Sequence, residues 1–487
     1  MKIAHFKKPG MPGRGFLCPF FSRRSGHLMT TLTLSLLLGG TVASAQTQLS
    51  LKQAIQTGLD NYGTIKAKEA YAKASAAGVV QAKLDYLPNF NLSTQADYGT
   101  ANGLNGPAYG FGPSGIASGG LPLGSQNWNA TFGSLYLANV NWDFFAFGRS
   151  KQKILTADFK RNLDASDVSQ EKFQHEVRVS AAYLNLLAAQ RLTTSYRKNF
   201  DRADTLRRII VRKAKRDLLA GVDSSQANAE VSNAKSILLN AMTYEDEQNS
   251  SLIKLLGTQP QKIQADTVFI ANLPKTLPTT YDSLAANNPV IAFYKNRILY
   301  SDEQAKYFKT LGLPTFSLGA AMQARGSGFN YTYSADHPNY DNSLSQGLGV
   351  DRTNYVVALG ISWNLTQPFR TKQQVKAQRL TSEGLKNELA LTQQQLITQN
   401  NFADSKIKNA IADYYETPLQ VKAASDTYHQ KLVLYNHGLT NLVDVTQALY
   451  ALVRAETDRD IAYNNVWQAL LLKAAATGDF DIFYSNL

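Results

Sequence analysis

The sequence predicts a mixed α and β chain, mostly long coiled-coil helices with four membrane-spanning strands, built as an internal tandem duplication. Three observations lead there. The first is self-similarity at a shift of 221 positions without a gap: Trp142-Asp143 falls on Trp363-Asn364, Arg149-Ser150-Lys151-Gln152 on Arg370-Thr371-Lys372-Gln373, and Gly257 on Gly478. Val222-Asp223-Ser224-Ser225-Gln226-Ala227 likewise falls on Val443-Asp444-Val445-Thr446-Gln447-Ala448. A repeat of this length outranks local propensity as a guide to architecture. The second is a pair of long proline-poor helical stretches, each followed by a return carrying a heptad stripe. The third is a set of four segments that largely alternate with period two, of the length that crosses a bilayer.

Residues 1–45 read as a secretory signal: six basic residues and no acid, an apolar core from Leu28 to Leu38, then Ala43-Ser44-Ala45, with Met29 as an alternative start. The core is short for a membrane span. Without those six cations the formal charge falls from +13 to +7, spread along amphipathic faces. Nucleic-acid binding needs a clustered basic footprint, so none is expected. Cys18 is the only cysteine and lies inside the leader, which excludes disulfides, cysteine-zinc sites and cysteine nucleophiles from the rest.

The first repeat is read as 46–257. It opens with a helix, marked by Leu51, Ala54, Ile55 and Leu59, broken at Asn61-Tyr62-Gly63 and ended by Pro88. Strands follow at about 88–99, where Phe90, Leu92, Ala96 and Tyr98 alternate with polar residues, and about 128–144, from Trp128 to Trp142. The loop between them holds Gly110-Phe111-Gly112-Pro113-Ser114-Gly115, a literal dinucleotide fingerprint, but no helix opens after it, and its composition is that of a flexible loop. A helical hairpin spans 149–256. Its outbound arm, as helix, is roughly 105 Å long. Its return carries Ala227, Val231, Ala234, Leu238 and Ala241 in steps of four and three, a coiled-coil seam whose alanines permit close approach.

A linker at 258–280 with Pro260, Pro274 and Pro278 leads to the second repeat, 281–487. This repeat has a helix from about Tyr281 to Leu311, strands at about 314–325 and 353–366, and a hairpin at 371–477. Its seam comprises Ala448, Leu452, Ala455, Arg459, Ala462, Val466 and Ala469, and a C-terminal tail follows. Helix lengths suggest that the 281–311 helix completes the first return arm and the N-terminal helix completes the second. Pro418 is expected to kink the second outbound helix. Four strands cannot close a barrel, and open edges are forbidden in lipid, so the chain is expected to assemble with itself. Three copies give a twelve-stranded barrel, an even number in the usual range.

The duplicated helix–strand–strand–helix plan is one part of a wider likeness. Leu87-Pro88-Asn89-Phe90 and Leu313-Pro314-Thr315-Phe316 open strands in the same way, and Leu255-Leu256-Gly257 closes a return helix. Gly438-Leu439-Thr440-Asn441-Leu442-Val443-Asp444-Val445 looks like a hairpin tip. In these features the chain resembles the TolC-like outer-membrane efflux proteins over nearly all of its mature length. The resemblance implies a homotrimer with one pore, a twelve-stranded β-barrel above a periplasmic α-barrel, lodged in outer-membrane lipid. It also implies a passive exit duct, opened by a periplasmic adaptor protein and an inner-membrane pump of the RND or ABC type. Service to type I protein secretion rather than small-molecule efflux is an alternative the chain does not encode.

By the same resemblance the periplasmic aperture involves Asp444 and Gln447, the latter standing where the family has a second acid, with Asp223 as the first-repeat counterpart. Three symmetry-related Asp444 side chains form a cation-attracting ring, while capping of a helix start is the plainer role for Asp223. The adaptor-contacting tips are Gly221, Val222, Gly438, Leu439, Thr440 and Asn441. Thr440 stands where the family's tip carries a basic residue. No enzyme is expected: six histidines are scattered and no metal-ligand spacing appears, so no cofactor or metal is called for. A structural coiled-coil surface protein explains the rods but leaves the four amphipathic strands without a task.

Overall fold

A computed structural model describes residues 47–103, 123–215, 221–267, 272–275, 288–335 and 338–487. The signal-like segment, the Gly110–Gly115 loop, Ala220, Asn287 and its predecessors back to Tyr281, and His337 lie outside these residues.

A short strand, β1 (Thr47–Leu49), leads into α1 (Leu51–Asn61), whose start is fixed by a reciprocal capping box between Ser50 and Gln53. Tyr62 is extended (φ −67°, ψ 119°), so the helix breaks there and resumes as α2 (Gly63–Leu84). Two strands follow, β2 (Asn89–Thr100) and β3 (Ala130–Phe145), then the first hairpin, α3 (Arg149–Ala214) and α4 (Gly221–Leu256). After β4 (Ile263–Ala265) come α5 (Pro289–Thr310), β5 (Thr315–Ser327), a five-residue α6 (Leu344–Leu348) and β6 (Arg352–Ser362). The second hairpin is α7 (Gln367–Asn436) with α8 (Leu442–Thr477), and α9 (Asp481–Tyr484) ends the chain. At 70 residues α7 is about 105 Å long. It runs through Pro418 as one helix, so that proline does not end it.

The large sheet is antiparallel with order β2-β3-β5-β6, leaving β2 and β6 as free edges. Register sorts its faces. Phe90 pairs with Val140, Val140 with Ala320 and Ala320 with Val357, while Leu318 sits between Trp142 and Leu359. One face is therefore apolar across all four strands. The other carries Asn91, Asn139, Asn141, Gly319 and Ala358, with Leu135, Leu137 and Val356 as exceptions. The apolar side chains are exposed in the single chain: Leu92 87%, Val357 66%, Leu359 69% and Ile361 66%. Only the far end of this face is covered, where α6 packs on β3 and β5 and Tyr136 donates to Leu348 O at 3.0 Å. At the other end Trp142 donates its indole N–H to Tyr86 O (2.9 Å) and Trp363 donates to Gly312 O (3.1 Å). The same bond thus anchors each half of the sheet to the helix ahead of it.

Most of the seams read from sequence are buried: Ala227, Ala234, Leu238 and Ala241 pack α4 on α3, and Ala448, Leu452, Ala455, Ala462, Val466 and Ala469 pack α8 on α7, while Val231 and Arg459 are only half-buried. At the upper end of α4, Leu252 and Leu256 are buried. A second core gathers Leu51, Ile55, Tyr183, Leu187, Leu252, Ile263, Trp467 and Phe483, around the parallel β1–β4 pair.

The half-length helices join differently from the expectation. The end of α4 meets α1, since a Cβ on Gly257 (φ +64°) would lie 3.0 Å from Asn61 O, so α4 continues into α2. The end of α8 meets α5: Gly478 (φ +83°) lets Asn288 approach, and Asn288 donates to Thr477 O (3.0 Å) while its Oδ1 caps Val290 N (2.9 Å). Thus α2 and α5 both flank α3, and α5 also packs on α7. Length alone could not have decided this, because α4 and α8 each have 36 residues and α2 and α5 each have 22.

Candidate functional site

The hairpin tips lie at the ends of the helices remote from the sheet. In the second hairpin α7 stops because Gly438 takes a left-handed conformation (φ +74°), which lets Leu439 N reach back to Leu434 O at 2.9 Å. Asn441 then caps α8, its side chain accepting from Asp444 N at 2.9 Å. Asp444 is consequently the third residue of α8, near the positive end of the helix dipole.

The Asp444 carboxylate is not free. It accepts from the Thr440 hydroxyl and from Lys431 Nζ, the latter at 3.3 Å, and these two bonds hold its pKa below the usual carboxylate value. Lys431 sits 13 positions upstream, on the last turns of α7. Gln447 is exposed one turn further along α8. Asp223 falls inside the first turn of α4, which starts at Gly221, so it acts on the dipole rather than as the cap residue.

Asp223 also reaches the second hairpin. Burial, and then the Asp223 charge, raise the pKa of Tyr435 on α7. Lys213 of α3 lies 5.6 Å from the centre of the same ring. Beneath it Tyr428, Tyr435, Leu442, Val445 and Leu449 bury against Leu206, Ile210 and Ala227, so the two tips share one apolar core. Above that core Arg202 grips Glu456 with two bonds of 2.9 and 2.7 Å, and Ser195 donates to Asp460 at 3.0 Å. Exposed apolar side chains stand at the extremities: Val222 at 73% and Leu439 at 73%, flanked by exposed Gly221, Gly438 and Asn441.

Asp444 and Thr440, both singled out from sequence, are therefore in direct contact, while Asp223 stands apart on the other hairpin. Sequence reasoning missed Lys431, Tyr435 and the Arg202–Glu456 clamp. Lys431 was within reach of it, since folding the hairpin about Gly438 brings position 431 opposite 444. Among the described residues no group of three or more His, Cys, Asp or Glu side chains could hold a metal. No described helix is long and apolar enough to cross a membrane.

The four-stranded sheet with one apolar face, open at both edges and continuing into two long helical hairpins, is also found in solved structures of outer-membrane channels. The CmeC outer membrane channel of Campylobacter jejuni aligns with a TM-score of 0.73 at 15% identity, over 88% of this chain and 85% of that one. The outer membrane protein VceC of Vibrio cholerae aligns at 0.68 and 15% identity, over 88% and 96%. The open state of the MtrE outer membrane channel of Neisseria gonorrhoeae aligns at 0.68 and 13% identity, over 88% and 89%. No family profile and no curated protein matches the sequence. The chain thus has the TolC-like fold that its strand openings and tip motif suggested.

Proposed function

We propose that this protein is an outer-membrane exit duct, a passive trimeric channel whose periplasmic end is closed by the helical tips. The observation that carries this reading is the sheet. Its apolar face is bare in the single chain, and both edges, β2 and β6, are unpaired. Lipid accommodates the face, and only another copy satisfies the edges. Three copies joined β6 to β2 make a closed twelve-stranded cylinder with the polar face inward. The helical layer has the same need, because within one chain α2 and α7 each end the layer with an unpartnered flank.

At the tip, three Asp444 side chains around the symmetry axis form the aperture, each accompanied by Lys431 and Thr440. Gln447 lies one turn behind it. Because Lys431 offsets much of that charge, the preference for cations is weaker than a bare carboxylate ring would give. Val222 and Leu439, with Gly221, Gly438, Thr440 and Asn441, offer an apolar knob beside a polar rim to a periplasmic adaptor, through which an inner-membrane pump delivers cargo. Exposed apolar residues rimmed by polar ones are the usual mark of a partner surface.

Planar-bilayer recording combined with light scattering tests this. Trimers that insert and conduct in steps are expected, and a monodisperse monomer without conductance would remove the proposal.

A further inference from the structure

A cavity of about 760 Å³ opens between the last turn of α5 and the first four turns of α7, directly below the strands. Its wall carries Lys309, Lys372, Lys376 and Arg379 against the single carboxylate of Glu383. Neighbouring carboxylates are already engaged: Glu303 by Lys306 at 2.8 Å, and Glu388 by Arg297 at 2.7 Å. Asp302 lies in an adjoining hollow that shares only Lys309 and Arg379. Four cations close to one carboxylate repel one another unless an anion sits among them.

A second observation concerns a residue of the same wall. Thr371 is only 5% exposed, yet its Oγ1 has no hydrogen-bond partner among the described residues. It lies beside Gly312 on the cavity wall, 3.6 Å from where a Cβ on that glycine would stand. A buried hydroxyl without a partner is destabilising, and an acceptor from outside the chain would relieve that cost.

The surroundings identify that acceptor. Trp363 continues the parity of the apolar face of β6, and its indole bonds Gly312 O on the cavity wall, so the opening lies next to the lipid-facing side. Leu313, Val375 and Leu380 line it, and Leu365 (67%) and Phe369 (75%) are exposed nearby. A helix α2 from an adjacent copy would bring no neutralising acid: it is rich in lysine, and its Glu69 already pairs with Lys172 at 2.6 Å.

We propose that this cavity binds an anionic glycerophospholipid of the periplasmic leaflet, the phosphodiester held by Lys372, Lys376 and the Thr371 hydroxyl and the acyl chains leaving along the apolar side. The inference rests on the channel reading, which sets this level at the membrane surface. Basic residues near such a surface contribute about 1 kcal/mol each, or about fivefold in binding.

The test is native mass spectrometry of the full chain in non-ionic detergent, with equimolar phosphatidylglycerol and phosphatidylcholine of identical chains. Phosphatidylglycerol should be retained on the trimer in clear excess. Lys372→Gln with Lys376→Gln should cut that excess by about 25-fold. Thr371→Val should lower retention several-fold while trimer mass and conductance stay unchanged. A conducting trimer with no headgroup preference, or variants that retain the lipid as wild type does, would overturn the site and leave the channel reading standing. Displacement by equimolar glycerol 3-phosphate would overturn the lipid assignment, since the headgroup alone would then suffice. A wild-type chain that neither trimerises nor conducts would overturn both.

Discussion

Val357 is the sixth residue of the eleven in β6, pairs with Ala320 of β5, and is 66% exposed on the apolar face of the single chain. Its neighbour Ala358 points to the other face, opposite Gly319. If the apolar face meets hydrocarbon, Val357→Arg places a guanidinium near mid-depth, at a cost of about 2–4 kcal/mol per copy. If three copies fold as one unit, as proposed, the cost to the trimer is about 6–12 kcal/mol. Ala358→Arg instead places the same group toward the polar interior, where water and neighbouring Asn and Ser side chains receive it. The assay is urea-induced unfolding in lipid vesicles, followed by the heat-resistant trimer band. Val357→Arg should shift the midpoint far down or abolish the band, and Ala358→Arg should move it little. Equal losses in the two variants, or the reverse order, would refute the assignment of faces and with it the argument from bare apolar surface to membrane.

Burial, then the Asp481 charge, push the pKa of Glu176 on α3 up to about 7, well above the ordinary carboxylate range. The folded state therefore holds a proton that the unfolded chain releases, so stability falls as pH rises from about 4.5 to about 7. Thermal melting between pH 5 and 8 should show this slope, and Glu176→Gln should flatten it. Gly478→Ala meets both a left-handed φ and the Asn288 side chain, whose Nδ2 would lie 2.2 Å from the new Cβ. A loss of about 1–3 kcal/mol is expected from melting curves, larger than for Gly384→Ala, where nothing lies within 4 Å. Asp444→Asn leaves Lys431 uncompensated at the tip, so single-channel selectivity should move toward anions, and Lys431→Gln should move it toward cations. Because the Asp444 pKa is lowered in the fold, its contribution persists at neutral pH and is lost only as pH falls through that depressed value, so selectivity between pH 6 and 8 should be flat on its account.

What the sequence made legible was periodic. Alternation at Tyr355, Val357, Leu359 and Ile361 announced a two-faced strand because side chains on a strand alternate sides. The alanine seam from Ala227 announced a close helix pair because steps of four and three keep one stripe inward. The tip turn was legible through Gly438, whose left-handed conformation the structure contains. Pairings between segments far apart were not legible. Two return helices of equal length and two short helices of equal length fit together in either combination, and the choice rests on Asn61 and Asn288, whose contacts carry no periodic signature. The start of α5 is set likewise by Asn288 and Pro289. At the candidate aperture the acids were visible, but their electrostatic partners were not. Lys431 and Tyr435 belong to the opposite arm or the opposite hairpin, and a residue's charge environment is a property of the fold.

The joints at Gly257 and Gly478 give the helical wall a mechanical character. Of its four struts, α3 and α7 are unbroken, and each carries load along its whole length through its own hydrogen bonds. The other two are jointed: α4 abuts the α1–α2 corner, and α8 abuts α5, held by a side-chain amide and the fit against a glycine. The two joints fall at corresponding points of the two halves, so they define one level across the wall. A lower arm displaced below that level would slide one helix end against another, with no helical turn unwound. Continuous and jointed members thus alternate around the wall, and the joints are where the jointed ones are free of a continuous hydrogen-bond ladder.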